Sequence, residues 1–255
     1  MTDLSMAGKC AIVSGGSSGI GAATVRQLAA RGARVAILGR RADAAHAVLE
    51  RLPAGAPAGL HVACDVTDEA SVAAAVDTVV EQLGVPDVAI LSAGLLVGGS
   101  AESTSLAVWH DVLAVNLTGT FLVARECARH MRREGRGSIV MVSSEAGLRG
   151  IAGLAAYSTA KAAVVELARC MALDLADANV RVNCVCPGTT RTPMVEEAVA
   201  READPAAALA RYAEVRPLRR LGTPDEIAAA ITFLASDAAA YATGSVLAID
   251  GGYTA

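Results

Sequence analysis

The amino-acid sequence predicts a single α/β domain, residues 1–255, built on a doubly wound parallel sheet. Three features predict it. Short Val- and Ile-rich runs alternate with longer stretches of helical spacing, most of the short runs end in Gly, Ser or Asp, and no linker or internal repeat divides the chain. At 255 residues one domain can bury about three-quarters of its unfolded surface.

The expected strands are residues 10–14, 34–38, 61–63, 88–92, 138–143, 181–186 and 246–249. They read as near-continuous apolar runs, as strands covered by helices on both faces should. Helical spacing marks residues 21–31, 69–83, 107–132 and 158–175, so right-handed strand–helix–strand units are expected. Residues 52–59 form a Pro/Gly/Ala loop before the third strand. The longest interruption, about residues 188–221, holds Pro193, Pro205 and Pro217 among helix formers. A long excursion beyond a strand's carboxyl end is where a helical substrate lid would sit. Thr223, Pro224 and Glu226 then open a helix with a capping box.

Composition narrows the function classes. With 22 Lys and Arg against 26 Asp and Glu, the net charge of -4 gives no basic face for nucleic acid. The uncharged stretch at residues 88–101 is 14 residues long and broken by glycines, too short for a membrane span. The segment MTDLSMAGKC carries no basic-then-apolar leader pattern. Six cysteines stand at 10, 64, 127, 170, 184 and 186 without zinc or redox spacing, so reduced thiols in a cytoplasmic protein are expected. His46, His61, His110 and His130 lack ligand spacing, and no metal site is expected.

The first strand runs into Ser14-Gly15-Gly16-Ser17-Ser18-Gly19-Ile20-Gly21, and a helix follows. Such glycines let the backbone turn tightly and approach a pyrophosphate, with the helix-start amides aimed at its charge. Strand before and helix after make this a Rossmann-type dinucleotide site. After the second strand stand Gly39, Arg40 and Arg41, with no acid for a ribose 2′-hydroxyl. A guanidinium grips a 2′-phosphate with two hydrogen bonds, so NADP(H) is expected over NAD(H), which stays possible. The plainer alternative is two solvated charges at a helix start.

The order Gly15, Gly19, Gly21 resembles the short-chain dehydrogenase/reductase family. Asp65 and Val66, Ala93 and Gly94, Asn116, Ser144, Tyr157, Lys161, Pro187 and Gly188, Thr192 and the terminal Asp250-Gly251-Gly252 fall in that family's order across the whole chain. The resemblance implies cofactor contacts from Gly15, Ser17, Ser18, Gly19, Ile20, Gly21, Asp65, Val66, Ala93, Gly94, Tyr157, Lys161, Pro187, Gly188, Thr190 and Thr192. It also implies a homotetramer, or a homodimer. The chain departs from the family's Asn-rich turn, with Leu91-Ser92 before Ala93-Gly94, which changes local hydrogen bonding beside the adenosine.

Tyr157 and Lys161 share a helix face at i and i+4. A free phenol with pKa near 10 is a poor base at neutral pH, and a nearby ammonium is expected to lower it. The chain has 20 arginines and only two lysines, Lys9 and Lys161, so a lysine here suggests a role arginine cannot fill. By resemblance, Ser144 orients the substrate oxygen, with Ser143 as its neighbouring alternative. Lys161 holds the nicotinamide ribose, and Thr192 meets the carboxamide. Asn116 holds a water that links Lys161 to solvent, or is a buried polar group satisfied by local backbone.

The expected activity is hydride transfer between NADP(H) and a ketone or secondary alcohol, with Tyr157 as acid and base. Candidate pocket residues Leu95, Leu96, Ala146, Leu154 and Met194 are apolar, while Glu145 faces either the pocket or solvent. Arg149 and Arg191 are read as surface charges. Two other classes remain: a cofactor-binding regulator without turnover, and an epimerase or dehydratase on the same fold. The first does not need the Ser144, Tyr157 and Lys161 set, and relatives of the second are longer. An enoyl reductase would show a wider Tyr–Lys gap.

Overall fold

The computed structural model describes residues 4–255; Met1, Thr2 and Asp3, where the leader reading begins, lie outside it. All seven expected strands form one parallel sheet: β1 (Cys10–Ser14), β2 (Arg34–Leu38), β3 (Leu60–Val62), β4 (Val88–Leu91), β5 (Gly137–Val142), β6 (Val180–Pro187) and β7 (Val246–Ile249). Their order is β3-β2-β1-β4-β5-β6-β7, so the winding reverses between β1 and β4.

Register shows why the runs are apolar at every position. Ile12, Ala36, Ala89, Ile139 and Val182 stand opposite one another across five strands and belong to one core cluster. One residue further on, Val13, Ile37, Ile90 and Val140 line the other face. Side chains alternate along a strand, and here both sides are interior. The first face is covered by α3 (Glu69–Leu83), α5 (Gly119–Glu134) and α6 (Ala155–Leu175). The second is covered by α1 (Gly19–Ala30), α2 (Ala42–Leu49) and α9 (Pro224–Ala235).

The helix expected at 107–132 exists but is not uniform. It runs as α4 (Leu106–Leu113), a π turn (Ala114–Thr118) and then α5. By length and mean hydropathy this 29-residue run could cross a bilayer, a possibility the uncharged-stretch criterion passes over. Leu122, Val123, Cys127 and Met131 are instead buried in the first-face core, and Arg125, Arg129, Arg132 and Arg133 interrupt the outer side. The excursion at 188–221 folds as two short helices, α7 (Pro193–Val199) and α8 (Pro205–Glu214), capped by Thr192 and Asp204. The capping box before α9 forms as expected: Thr223 Oγ1 accepts from the Glu226 N–H, and Glu226 Oε2 accepts from the Thr223 N–H.

Candidate active site

In an open parallel sheet the ligand crevice lies beyond the carboxyl ends of the strands where the winding reverses. Here that is the edge of β1 and β4. Gly15 follows β1 with φ +70°, and a Cβ there would come within 2.7 Å of the Ala93 backbone beyond β4. A Cβ on Gly21 would overlap the Gly15 carbonyl oxygen. Both positions therefore require glycine. Helix α1 begins without a capping side chain or an acid in its first turn, so its free amides are left for an outside acceptor. This cradle fits a dinucleotide pyrophosphate.

Arg41 donates to Ser17 Oγ at 3.3 Å and to Ser18 Oγ at 3.0 Å, which brings the end of β2 onto the glycine loop. Arg40 lies 4.0 Å from the Asp65 carboxylate, and both are substantially exposed. Asp65 accepts from the Thr67 N–H and hydroxyl at 3.0 and 2.8 Å, and those bonds hold its carboxyl below the usual range. Val66 packs against Gly119, where a Cβ would come within 2.8 Å of its methyl. The altered Ser92 turn is tied to β1 through its N–H to the Ser14 carbonyl at 3.1 Å.

Beyond β5 the two candidate serines separate clearly. Ser143 is buried and donates to the Lys161 carbonyl at 2.7 Å. Ser144 caps the one-turn helix Glu145–Gly147, accepts from the Ala146 N–H at 3.1 Å, and hydrogen-bonds Tyr157. Tyr157 and Lys161 sit one turn apart on α6 as the spacing predicts, with the Lys161 ammonium 5.7 Å from the Tyr157 ring centre.

The expected lowering of the phenol by Lys161 is not what the structure gives. Burial pushes Tyr157 up to about 12, with the Ser144 hydrogen bond pulling the other way. The ammonium is directed at the Val142 carbonyl, 3.0 Å away, and its own burial lowers Lys161 to about 8. Asn116, in the π turn, is fully buried: its amide donates to Leu95 O and Val112 O at 2.8 and 2.9 Å and accepts from the Leu95 N–H at 3.2 Å. Its side chain is thus satisfied by local backbone. A Cβ built on Gly94 would be 3.1 Å from Asn116 Oδ1 and 3.7 Å from both Lys161 Nζ and Met194 Cε. The structure thus gathers Gly94, Asn116, Lys161 and the lid at one point.

Pro187 ends β6, and Gly188 donates to the Ile249 carbonyl at 2.9 Å. Thr190 Oγ1 donates to the Gly188 carbonyl at 2.8 Å. Thr192 caps α7 and lies against Gly19, whose built Cβ would be 3.2 Å from the Thr192 methyl. The lid's first root therefore rests on the glycine loop. Glu145 corrects the sequence expectation: it faces neither open pocket nor solvent but is buried in an ion pair with Arg216. Sequence reasoning missed Arg216, which looks like one more arginine in an arginine-rich lid. Arg149 is exposed, as expected, but lies over the Tyr253 ring at 4.7 Å.

Comparison with known proteins gives this arrangement a class. Residues 15–254 match a family described as Enoyl-(Acyl carrier protein) reductase. The chain is 43% identical over 248 residues to cis-4-hydroxycyclohexanecarboxylate dehydrogenase of Sinomonas cyclohexanicum, covering 97% of each. A short-chain type dehydrogenase/reductase from Mycobacterium marinum superposes with TM-score 0.92 at 35% identity, over 98% of this chain and 97% of that one. Levodione reductase superposes with TM-score 0.93 at 34% identity, over 97% and 98% respectively. The class is that of oxidoreductases acting on CH–OH groups with NAD(P). Within it, the chain belongs to the short-chain dehydrogenase/reductase family.

Proposed function

We propose that this protein interconverts a ketone and a secondary alcohol with NADP(H), using Tyr157 as the acid and base. The observation that carries the reading is the hydrogen-bonded pair Ser144 and Tyr157 beside buried Lys161, at the same sheet edge as the glycine cradle. When bound, the nicotinamide dinucleotide supplies or accepts the hydride. Gly15, Ser17, Ser18, Gly19, Ile20 and Gly21 cradle its phosphates, and Asp65, Val66, Ala93 and Gly94 flank the adenosine side. Arg40 and Arg41 meet a 2′-phosphate, supported by the Arg41 contacts to Ser17 and Ser18. Pro187, Gly188, Thr190 and Thr192 line the nicotinamide end.

The chain's own groups handle the proton. Ser144 hydrogen-bonds the substrate oxygen and holds it against the phenol. A phenol raised to about 12 is protonated at neutral pH, so in the resting enzyme it stands ready to protonate a carbonyl oxygen. In the opposite direction the same oxygen of Tyr157 takes the alcohol proton. Lys161, lowered to about 8, holds a labile proton close to neutrality beside that phenol. Asn116 acts as a positioning residue that fixes the Leu95 backbone over this group. Leu95, Leu96, Leu154 and Met194 shape an apolar pocket, in keeping with a relative that acts on cis-4-hydroxycyclohexanecarboxylate.

Tyr157→Phe removes the proton path while leaving the ring. Turnover of a ketone and alcohol panel that includes 4-hydroxycyclohexanecarboxylate should fall by about 10²–10⁴-fold, far more than dinucleotide affinity. Full activity in that variant would contradict the assignment. We further infer a homotetramer in the cytoplasm. Unpaired thiols at all six cysteines and the exposed side chains of Phe121 and Leu173 support this, and sedimentation at the 25.7 kDa monomer mass would refute the assembly.

A further inference from the structure

We propose that the buried Glu145–Arg216 pair is a positioning device that ties the lid to Ser144; this rests on the reading of Ser144 given above. Glu145 and Arg216 are only 4% and 3% exposed. Arg216 stands two residues past the end of α8, and its guanidinium joins four segments at once. It donates to Glu145 Oε1, to the Tyr212 carbonyl and, at 2.6 Å, to Thr189 Oγ1, and it lies 5.0 Å from the centre of the Tyr253 ring. Thr189 itself donates to Glu145 Oε1 at 3.2 Å. The catalytic turn, the segment after β6, the lid and the C-terminal turn therefore meet on one side chain.

Glu145 is the residue directly after Ser144 and the first of the short helix that Ser144 caps. Its carbonyl accepts from the Leu148 and Arg149 N–H groups at 3.0 and 3.2 Å, so the turn moves as a unit. A pull on the Glu145 carboxylate is a pull on Ser144. The lid thus has two roots with different functions: Thr192 rests on the glycine loop at Gly19, and Arg216 grips the turn that carries the substrate-orienting hydroxyl. When the lid lifts, Arg216 either drags Glu145 with it or leaves a carboxylate buried without its partner.

Stability alone does not explain the pair. Glu145 Oε2 and Arg216 Nε are both buried without a hydrogen-bond partner, an arrangement an apolar pair of the same size would improve. A merely structural role is therefore separable from a positioning one. The test compares Arg216→Lys, which keeps the charge but loses the forked geometry, with the double variant Glu145→Leu/Arg216→Met, which fills the site without ions. Each is measured for unfolding temperature, for kcat and KM, and for trypsin cleavage after the lid residues Arg201 and Arg211.

The double variant should unfold within about 3 °C of the parent, yet lose about tenfold or more in kcat, because a hydroxyl displaced by less than an ångström costs that much. KM for the dinucleotide should change less than kcat in both variants, since Arg216 reaches Thr189 beside the nicotinamide end but none of the glycine loop that holds the phosphates. Lid cleavage should accelerate about fivefold or more in both, through more frequent local opening. Parent-like kcat in the double variant, or parent-like cleavage, overturns the proposal. If the parent turns over nothing in the panel, the oxidoreductase reading fails on that ground. The cleavage rates then decide the lid coupling alone, faster supporting it and unchanged overturning it.

Discussion

Gly21→Ala makes the most direct demand on the glycine cradle. The added methyl would overlap the Gly15 carbonyl oxygen, and would lie 2.9 Å from the Gly15 carbonyl carbon and 3.1 Å from Gly16 Cα. All three are backbone atoms, so no rotamer change relieves the contact, and the loop must move. Overpacking of this kind costs about 3 kcal/mol at its upper end, and alanine's better helix propensity returns about 1, for a net loss of about 2 kcal/mol. In a chain of this size that lowers the unfolding temperature by about 4–8 °C. Movement of the loop also takes the α1 amides away from the pyrophosphate, so dinucleotide affinity should drop by about tenfold or more. Gly150→Ala is the matched control: nothing lies within 4 Å of its Cβ position, and its backbone is outside the left-handed region. That change should leave binding intact and stabilise by about 0.4–1 kcal/mol through the unfolded chain. The assay is thermal unfolding paired with fluorescence titration of the reduced dinucleotide. A Gly21→Ala protein that binds like the parent would refute the close-approach reasoning.

Arg41→Ser should weaken NADPH by about tenfold, the value of one exposed charge-assisted contact, and leave NADH within about twofold. Equal losses for both would show that Arg41 reads no 2′-phosphate. Lys161 is held below its unfolded value, so between about pH 8 and 10.5 the unfolded chain binds the extra proton and folding is favoured more as pH rises. Measured against Lys161→Met, which cancels the titration of the buried thiols, the parent should therefore gain stability across that window; a flat difference would show that the ammonium is not buried. Thr223→Ala breaks the capping box of α9 and should cost about 1 kcal/mol, or about 2–4 °C, with no change in dinucleotide affinity.

The sheet was legible because each parallel strand is buried on both faces, and an unbroken apolar run such as Ala11–Ile12–Val13 has few other uses. The glycine positions were legible because a close backbone approach leaves one residue type. The bounds of β1, β2, β7 and α3 fall where expected, and the other expected elements shift at one or both ends by one to three residues, where hydrogen bonding to flanking turns decides. The π turn at Asn116 was invisible, since nothing in Ala114–Thr118 opposes an ordinary helix; the extra residue is stabilised by tertiary bonds from Asn116 to Leu95. Arg216 was hidden for the same reason. Its partner lies 71 positions away, and only the folding back of the lid turns a surface-type residue into a buried one. The Tyr157 pKa was misjudged because helical spacing gives the distance to Lys161 but not the desolvation around the ring.

The most direct test of the central claim is thermal unfolding of the purified protein with NADPH, with NADH, and with neither. A ligand at about a hundredfold over its dissociation constant adds about 2.7 kcal/mol, or about 5–10 °C here. The account predicts a shift of that size with NADPH and a clearly smaller one with NADH. A larger shift with NADH would overturn the Arg40 and Arg41 assignment while leaving the Tyr157 chemistry in place. No shift with either dinucleotide would contradict the account itself.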